Sequence, residues 1–415
     1  MTVLKSFSGW RPQSDAIASQ VAARPYDVLN TAEAKAESNE WSFLHISRSE
    51  IDLPADTNPY DSQVYALARK NFENFVAQKI LTRDATPCLY VYALTMNGRT
   101  QTGICGLNSV ADYEADLIKK HEFTRPEKEQ DRINHMMATK LHSEPIFMAY
   151  QALPAIDAIV NQVTTAQPPA FSFTTADKIE HHLWVIDQPN TIKQLENLFA
   201  TQVPAIYIAD GHHRAASSVK VALQHKQLNA KHNGTEAYNY FLSVLFPDNQ
   251  LQIMDYNRVI KDLNGLSPNE FLAQLDANFA VKKMTNSFKP SLKHMFGLYM
   301  NKQWYQLQAY PHTYNDKDPI AALDITLLSN YVLAPILGIK DQRTDKRIDF
   351  VGGIRGMAEL QKRVDSGEMA CAFSVPAVSI KQLIDIANTG QVMPPKSTWF
   401  EPKLRSGLEI GRAHV

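Results

Sequence analysis

The stretch IYIADGHHRAAS, residues 206–217, predicts a strand that runs through a glycine turn directly into a helix. Gly211 permits the sharp backbone turn, and an alanine-rich segment follows it. His212, His213 and Arg214 occupy the first turn of this predicted helix. Because the start of a helix already carries partial positive charge, acidic side chains are the usual residues there. The basic first turn therefore predicts a binding site for an anion.

Phosphate suits this turn best among the common anions. The backbone N–H groups at a helix start point at a bound phosphate, Arg214 can bind it bidentately, and Gly211 lets the backbone approach closely. A neutral histidine there can also move a proton or bind a metal. The alternative is structural: Asp210 caps the helix and pairs with Arg214, while both histidines are half-buried. The sequence leaves both interpretations open.

Composition sets the class of protein. At roughly 150 residues per domain, the 415 residues predict two or three domains. An apolar fraction of 44% with a charged fraction of 20% is typical of a globular chain. The net charge of −1 argues against nucleic acid or an anionic membrane as a partner. The cysteines are scattered, the N-terminal segment lacks a signal-peptide core, and no apolar run approaches the ~20 residues of a membrane span. These features predict a cytoplasmic protein. Nothing in the sequence indicates its oligomeric state.

The fold class predicted from the order of elements is α/β. Residues 1–255 are expected to form a mixed α+β domain that includes a hairpin turning at Asn97-Gly98. Residues 256–408 are expected to form an α/β domain, because strands alternate there with helices, which predicts crossover connections and a partly parallel sheet. The last residues, EIGRAHV at 409–415, resemble a translated sequencing adapter and are treated as a non-native tail.

A second basic segment, KKHEFTRPEKEQDR at residues 119–132, precedes and enters another predicted helix, from about 125 to 141. His121 and Glu122 fall just before the helix and Arg125 lies at its start, so these side chains can converge on a ligand. The alternative is a solvated charged helix. Its i,i+4 pairs are unfavourable, however, so the segment favours neither interpretation.

A third segment, MPPKSTWFEPKLRSG at residues 393–407, contains prolines that forbid a continuous helix. Lys396, Lys403 and Arg405 are close in sequence to the aromatic pair Trp399 and Phe400, and such a group suits a phosphate or carboxylate. The alternative, favoured by composition, is an irregular segment anchored by the two aromatic rings.

Six segments in order carry a resemblance over nearly the whole chain, from about residue 10 to 408. The segments are RPYDVLN, SFLHISRSE, IKKHEFTRPEKEQDR, YIADGHHRAAS, YNRVIKDL and MPPKSTWFEPKLRSGL. Together they resemble the bacterial domain-of-unknown-function family 1015.

The segment YIADGHHRAAS is also similar to the strand–loop–helix signature of the fold shared by ParB partition proteins, sulfiredoxins and free-serine kinases. This resemblance implies a loop that holds nucleotide phosphates at a helix start. Asp210, Gly211, His212 and Arg214 reproduce the Asp-Gly-His-x-Arg form of the kinase branch. His212 stands where sulfiredoxin has its cysteine, which excludes that thiol chemistry. The α/β pattern and the near-zero net charge argue against the basic helix-turn-helix that follows the motif in ParB.

These observations predict a phosphoryl-transfer enzyme, kinase or phosphatase, that acts on a small phosphorylated metabolite or a nucleotide, with serine or phosphoserine as candidate substrates. His212 or His213, with Arg214, would stabilise the charge of the transferring group. Glu122 or Asp210 would accept the hydroxyl proton or bind Mg²⁺, and ATP or ADP would be the nucleotide.

The predicted phosphate-binding residues come from all three segments, and they are Gly211, Arg214, His121, Arg125, Lys396, Lys403 and Arg405. Beyond the Mg²⁺ alternative for Glu122 or Asp210, no metal ligand is assigned in this main hypothesis. Two alternatives use the same segments. One is a nucleotide-binding regulator without turnover. The other is a metal-dependent hydrolase built on His121, Glu122, His212 and His213.

Overall fold

The computed structural model describes residues 1–412, and the chain divides into two compact units. The first unit comprises residues 1–120, 124–251 and the segment from 402 onward, and the second comprises residues 121–123 and 252–401.

The described chain contains both strands and helices in each unit. The strands are β1 (Leu4–Lys5), β2 (Trp10–Arg11), β3 (Thr82–Arg83), β4 (Leu89–Met96), β5 (Arg99–Ser109), β6 (Ile118–Lys119), β7 (Leu141–His142), β8 (Ile146–Tyr150), β9 (Phe171–Thr174), β10 (Glu180–Ile186), β11 (Ile206–Asp210), β12 (Tyr240–Pro247), β13 (Ile253–Met254), β14 (Tyr256–Ile260), β15 (Phe279–Met284), β16 (Met295–Met300), β17 (Gln303–Ala309), β18 (Ile348–Gly352), β19 (Cys371–Ser374), β20 (Trp399–Phe400) and β21 (Gly411–Arg412). The helices are α1 (Asp15–Val21), α2 (Thr31–Glu37), α3 (Leu44–Ser47), α4 (Ser62–Ala77), α5 (Val110–Glu114), α6 (Pro126–Thr139), α7 (Pro154–Ala166), α8 (Pro189–Gln202), α9 (His212–Leu228), α10 (Pro268–Leu275), α11 (Asp324–Leu328), α12 (Gly356–Asp365) and α13 (Ile380–Asn388).

A mixed sheet forms the centre of the first unit. Its strand order is β6-β11-β8-β12-β5-β4-β10-β9, and β1 also pairs with β5. The pairs β11–β6 and β12–β8 are parallel, and the other pairs are antiparallel. The predicted hairpin at Asn97-Gly98 is confirmed as β4–β5, with Asn97 and Gly98 both at positive φ, as a tight two-residue turn requires.

One face of this sheet is covered by helices α7, α8 and α9. Apolar side chains from the helices, such as Ile156, Phe199 and Val219, share a buried cluster with strand residues such as Ile146 and Ile208. These buried contacts hold α9 against the sheet, so that the start of α9 has a defined position at the end of β11.

The second unit contains a six-stranded sheet in the order β15-β17-β16-β19-β14-β18. The α/β class is confirmed, but the expected parallel pairs are wrong, because every neighbouring pair in this sheet is antiparallel. β18 and β19, which α12 connects, do run in the same direction. β14 lies between them and runs the opposite way, and the sequence gives no sign of this insertion.

The chain re-enters the first unit at Pro402. Ser406 forms a bridge with Ala23, and Ile410 forms one with Trp10. We predicted a boundary between residues 255 and 256 and a C-terminal domain that ends at residue 408. The two units are divided differently, because strand bridges join residues 402–411 to the N-terminal part of the chain. Of the predicted tail 409–415, residues 413–415 lie outside the described chain.

Candidate anion-binding site at the start of helix α9

The turn between β11 and α9 has a backbone that favours glycine. Gly211 has φ of +97°, in the left-handed region. A Cβ atom at this position would lie 3.0–3.1 Å from three guanidinium atoms of Arg214. A register shift between Ile208 and Asp210 precedes the turn, and such bulges redirect the side chain that follows. The local sequence therefore packs the Arg214 side chain directly against its own helix start.

Asp210 lies between two cations. One carboxylate oxygen accepts a hydrogen bond from Lys403 Nζ at 2.9 Å, and the other accepts one from Arg214 Nη2 at 3.0 Å. Burial opposes ionisation of this carboxyl, but Lys403 and Arg214 outweigh it and hold the pKa of Asp210 well below its usual range. Asp210 is therefore ionised at neutral pH and a weak proton acceptor, which argues against its predicted role as general base.

Arg214 is buried, with 8% of its surface exposed. Its second terminal nitrogen, Nη1, donates to the carbonyl oxygen of Pro145. The pKa of Arg214 is raised: burial opposes the charge, but Glu144, Asp210 and Asp27 outweigh this effect. Each terminal nitrogen of Arg214 thus already donates one hydrogen bond within the protein, and the predicted bidentate phosphate contact stays a prediction. The pairing with Asp210 foreseen in the structural alternative is present.

The helix start itself still offers hydrogen-bond donors. Within residues 1–412, the backbone N–H groups of His213 and Arg214 donate to no other group. Gly211 has no side chain that could cap them. Unpaired N–H groups at the positive end of a 17-residue helix are favourable ligands for an oxyanion.

His213 connects the start of α9 to the residue that precedes α6. Its Nε2 accepts a hydrogen bond from the backbone N–H of Arg125 at 2.9 Å. Burial, with Arg125 and Arg214, lowers the pKa of His213 despite the opposing charges of Asp27 and Glu129. A neutral ring that accepts at Nε2 has its proton on Nδ1, so His213 can donate one hydrogen bond to a ligand.

Arg125 immediately precedes α6, and its side chain is exposed. Its guanidinium lies 3.7 Å from Glu127, and that side-chain pair is 59% and 68% exposed. Such a solvent-exposed pair contributes little energy and exchanges readily for another anion. Among the predicted phosphate-binding residues at the start of α9, Arg125 therefore has the side-chain charge that is least engaged by other protein groups.

Asp27 is a site residue that sequence reasoning missed. Its carboxylate is exposed, and no hydrogen bond or ion pair engages it within the described residues. Its charge nevertheless acts on His213 and Arg214, whose pKa values it raises against the effect of burial. Asp27 and His213 are far apart in the chain, so no local sequence pattern indicates that the charge of one acts on the other.

The remaining predicted residues of the first unit are buried. His212 is 5% exposed, and its charge contributes to the low pKa of Asp210. Arg405 is 4% exposed and pairs with Asp177 rather than with residues 210–214. The guanidinium of Arg405 thus pairs with a carboxylate in the connection between β9 and β10, and its predicted role in phosphate binding stays a prediction.

Three predicted residues belong to the second unit: His121, Glu122 and Lys396. His121 is 1% exposed, and its Nε2 lies 3.3 Å from Thr398 Oγ1. Glu122 is half-buried, and Lys396 is exposed. Across residues 1–412, no group of three or more His, Cys, Asp or Glu side chains is arranged to hold a metal ion, so the hydrolase alternative lacks a ligand set.

The family model described as "Protein of unknown function (DUF1015)" matches residues 4–326, and the chain belongs to this family. The comparison with curated proteins finds no match. No helix of the described chain is both long and apolar enough to cross a membrane.

Several solved structures are similar to parts of the chain, and each alignment covers 74% of it. A conserved hypothetical protein from Pyrococcus furiosus is 15% identical, with 95% of its chain covered and a TM-score of 0.37. A free serine kinase in complex with AMP is 12% identical, with 91% covered and a TM-score of 0.37. SbnI with a C-terminal truncation from Staphylococcus aureus is 13% identical, with 88% covered and a TM-score of 0.39. At such scores the likeness carries no inference about activity.

Proposed function

We propose that the protein binds the phosphate of a small metabolite or nucleotide at the start of α9 and transfers a phosphoryl group there. The observation that carries this proposal is the unpaired pair of backbone N–H groups, on His213 and Arg214, at a helix start that has basic rather than acidic side chains. An oxyanion satisfies these donors and the positive end of the helix together.

The cations around the helix start have different roles in this proposal. Arg214 and Lys403 fix the Asp210 carboxylate and contribute positive potential from within the protein. Arg125 and the Nδ1–H group of His213 would contact the phosphate directly. Preorganised donors of this kind stabilise the charge of a transferring phosphoryl group, which is most of what such catalysis requires.

Asp27 is our candidate for the general base. It is an exposed carboxylate whose charge acts on His213 and Arg214, and no hydrogen bond or ion pair within the described chain engages its oxygens. Glu122, the other candidate from the sequence, lies in the second unit, and its role stays a prediction. The Asp27 carboxylate would accept the proton of a substrate hydroxyl as the hydroxyl oxygen attacks phosphorus.

ATP or ADP would be bound through its phosphates at the same N–H groups. Mg²⁺, when bound to a nucleotide, supplies positive charge that neutralises the phosphates. Both oxygens of Asp210 are already paired with cations, so this residue does not fit a magnesium ligand, and no step is assigned through the metal.

A second candidate function is a nucleotide-binding regulator without turnover. The low pKa of Asp210, which removes it as a base, favours this alternative. The regulator needs the same N–H groups but no proton acceptor.

Phosphorus NMR on the purified protein with ATP, ADP, serine, phosphoserine and Mg²⁺ tests transfer directly. We expect a new phosphate resonance in at least one combination, and its loss in Asp27→Asn but not in Glu122→Gln would identify Asp27 as the base. Binding of nucleotide without any product would reject the enzyme and support the regulator. Absence of both binding and product would reject the site.

A further inference from the structure

A cavity of about 640 Å³ lies in the second unit, beside the strands β15, β17 and β16 of its sheet. Met284, Trp304 and Tyr299 are paired directly across these three strands, so their side chains share one face of the sheet, and all three line the cavity. Helix α12 packs on the same face, against β14, β16, β18 and β19, and its Gln361 also lines the cavity. The volume is in the range of pockets that take small molecules.

The other polar side chains around this cavity include several hydrogen-bond donors. They come from the connection that follows β15 and from the turn that precedes β17, and they are those of Thr285, Asn286, Ser287 and Lys302. None of the described residues that line the cavity is acidic. A cavity with ammonium, amide and hydroxyl donors and no carboxylate is complementary to a ligand with many acceptor oxygens.

Trp304 adds a buried donor that has no partner. The residue is 4% exposed, and its Nε1 makes no hydrogen bond within residues 1–412. By contrast, Nε1 of the buried Trp184 donates to the carbonyl oxygen of Gln167 at 3.2 Å. Buried indole N–H groups usually have such a partner, so the wall of the cavity has a donor that the protein itself does not satisfy.

The chain around the cavity is positively charged. Residues 277–315 contain no aspartate or glutamate, and their lysines are Lys282, Lys283, Lys289, Lys293 and Lys302, although the whole chain has a net charge of −1. Lys282 is two positions before Met284 on β15, so it lies on the same face as the cavity. Lys302 is in the tight turn between β16 and β17, with φ of +59°. Within the described chain neither Lys282 nor Lys302 forms an ion pair.

Protection of a sheet edge explains only part of this pattern. β15 is an edge strand, and lysines on such a strand prevent pairing with other chains. That role accounts for Lys282 and Lys283. It does not account for Lys302, which is in a turn, or for the unpaired N–H of Trp304, which is buried. A bound anion accounts for all of these groups.

We propose that this cavity binds a small phosphorylated molecule. Its phosphate accepts hydrogen bonds from the Lys302 ammonium group and from side chains of residues 285–287, while Lys282 adds positive potential. A phosphate group has three terminal oxygens that accept such bonds, and lysine binds it as a point charge. The cavity belongs to the second unit, so the proposal does not depend on phosphoryl transfer at α9.

The indole N–H of Trp304 provides the test in the full-length protein. Spectra of ¹⁵N-labelled tryptophan are recorded while inorganic pyrophosphate is added at constant ionic strength. The Trp304 resonance is assigned from its absence in Trp304→Phe, or from its contacts with the Tyr299 ring, 5.0 Å away, if that variant does not fold. We expect a saturable shift of Trp304, while Trp184 does not move. An unmoved Trp304 resonance, or an equal shift with sodium chloride alone, would overturn the proposal.

Citrate tests the assignment to phosphate, because it carries several negative charges on carboxylates. We expect citrate to bind more weakly than pyrophosphate at Trp304. Equal affinity for the two anions would overturn the choice of a phosphorylated ligand.

Lys302→Gly tests the proposed donor. It removes the ammonium group and suits the left-handed backbone, so the turn is expected to persist. The affinity for pyrophosphate should fall at least about tenfold, as expected for losing one charge-assisted hydrogen bond. Lys178→Gly is the matched control, since Lys178 is an exposed lysine of the first unit with φ of +62°. Equal affinity in Lys302→Gly and this control would contradict the role of Lys302.

Arg125→Ala separates this cavity from the site at α9. It removes a cation of the first unit and should leave the Trp304 titration unchanged. Loss of the Trp304 shift in Arg125→Ala would show that the resonance responds to the α9 site, and it would overturn a separate site in the second unit.

Discussion

The backbone N–H of Arg125 donates to the Nε2 of His213 at 2.9 Å, and this bond joins segments that are 88 positions apart in the chain. The starts of α6 and α9 thereby lie side by side in the first unit. Neither start has a side-chain cap. The hydrogen bond also fixes the proton of His213 on Nδ1, where a ligand can accept it.

Replacing Asp27 by Asn should remove the proton acceptor without disturbing the fold, because the side chain has no internal hydrogen bond. Loss of a general base reduces turnover about 10²–10⁴-fold, while nucleotide binding should persist. The measurement is the rate of phosphate transfer by phosphorus NMR. Asp56→Asn, which changes another exposed carboxylate of the first unit, is the matched control. Equal rates in Asp27→Asn and the control would show that Asp27 is not the base.

Replacing Asp210 by Asn should leave Lys403 and Arg214 without their shared carboxylate. We expect the free energy of unfolding to fall by about 3 kcal/mol, the range for breaking a largely buried ion pair. Because the helix start becomes more positive, added phosphate should raise the melting temperature of this variant more than that of the unmodified protein. Urea unfolding and thermal scans with and without phosphate measure both effects.

Glu73→Gln provides the control for this change, since Glu73 forms an exposed i,i+4 pair with Arg69 and should change stability by less than about 0.5 kcal/mol. If phosphate stabilised Asp210→Asn no more than the unmodified protein, the anion site at α9 would lose its support.

Replacing Gly211 by Ala should cost about 2 kcal/mol, since it adds both a strained positive φ and a close contact with Arg214. Gly234 has a similar φ of +88° and open space around its Cβ position. Gly234→Ala therefore measures the backbone cost alone, about 1 kcal/mol. Equal losses in the two variants, measured by urea unfolding, would show that the Arg214 contact relaxes freely.

Glu409 gives a prediction for pH. It is 1% exposed, neither carboxylate oxygen has a partner within the described chain, and burial raises its pKa to about 8. The folded state therefore binds this proton more tightly than the unfolded state. The contribution of protonated Glu409 to the free energy of unfolding is therefore fully present below about pH 4.5. It is lost as the pH rises through about 8.

The variant Glu409→Gln should remove that dependence and be more stable than the unmodified protein at pH 8, by a few kcal/mol at most. Thermal unfolding of both proteins from pH 5 to pH 9 measures it. Parallel curves across this range would show that Glu409 is hydrated and not buried as an unpaired acid.

The sequence by itself determined the local elements and the family. Apolar periodicity, the glycine turn and Pro126 predicted β11, α9 and α6, and the ordered motifs identified the DUF1015 family. Such features depend on residues close together in the chain, so local steric and hydrogen-bonding rules suffice to find them.

Only the tertiary structure decided which charges meet. Lys403 reaches Asp210 from 193 positions away, Asp27 acts on His213, and Arg405 pairs with Asp177 rather than with the helix start. In the same way, β14 lies between β18 and β19 and makes the second sheet antiparallel. The physical reason is common to these cases. Electrostatic and strand-pairing energies depend on distance in space, and the path of the chain, not the spacing of its residues, sets that distance.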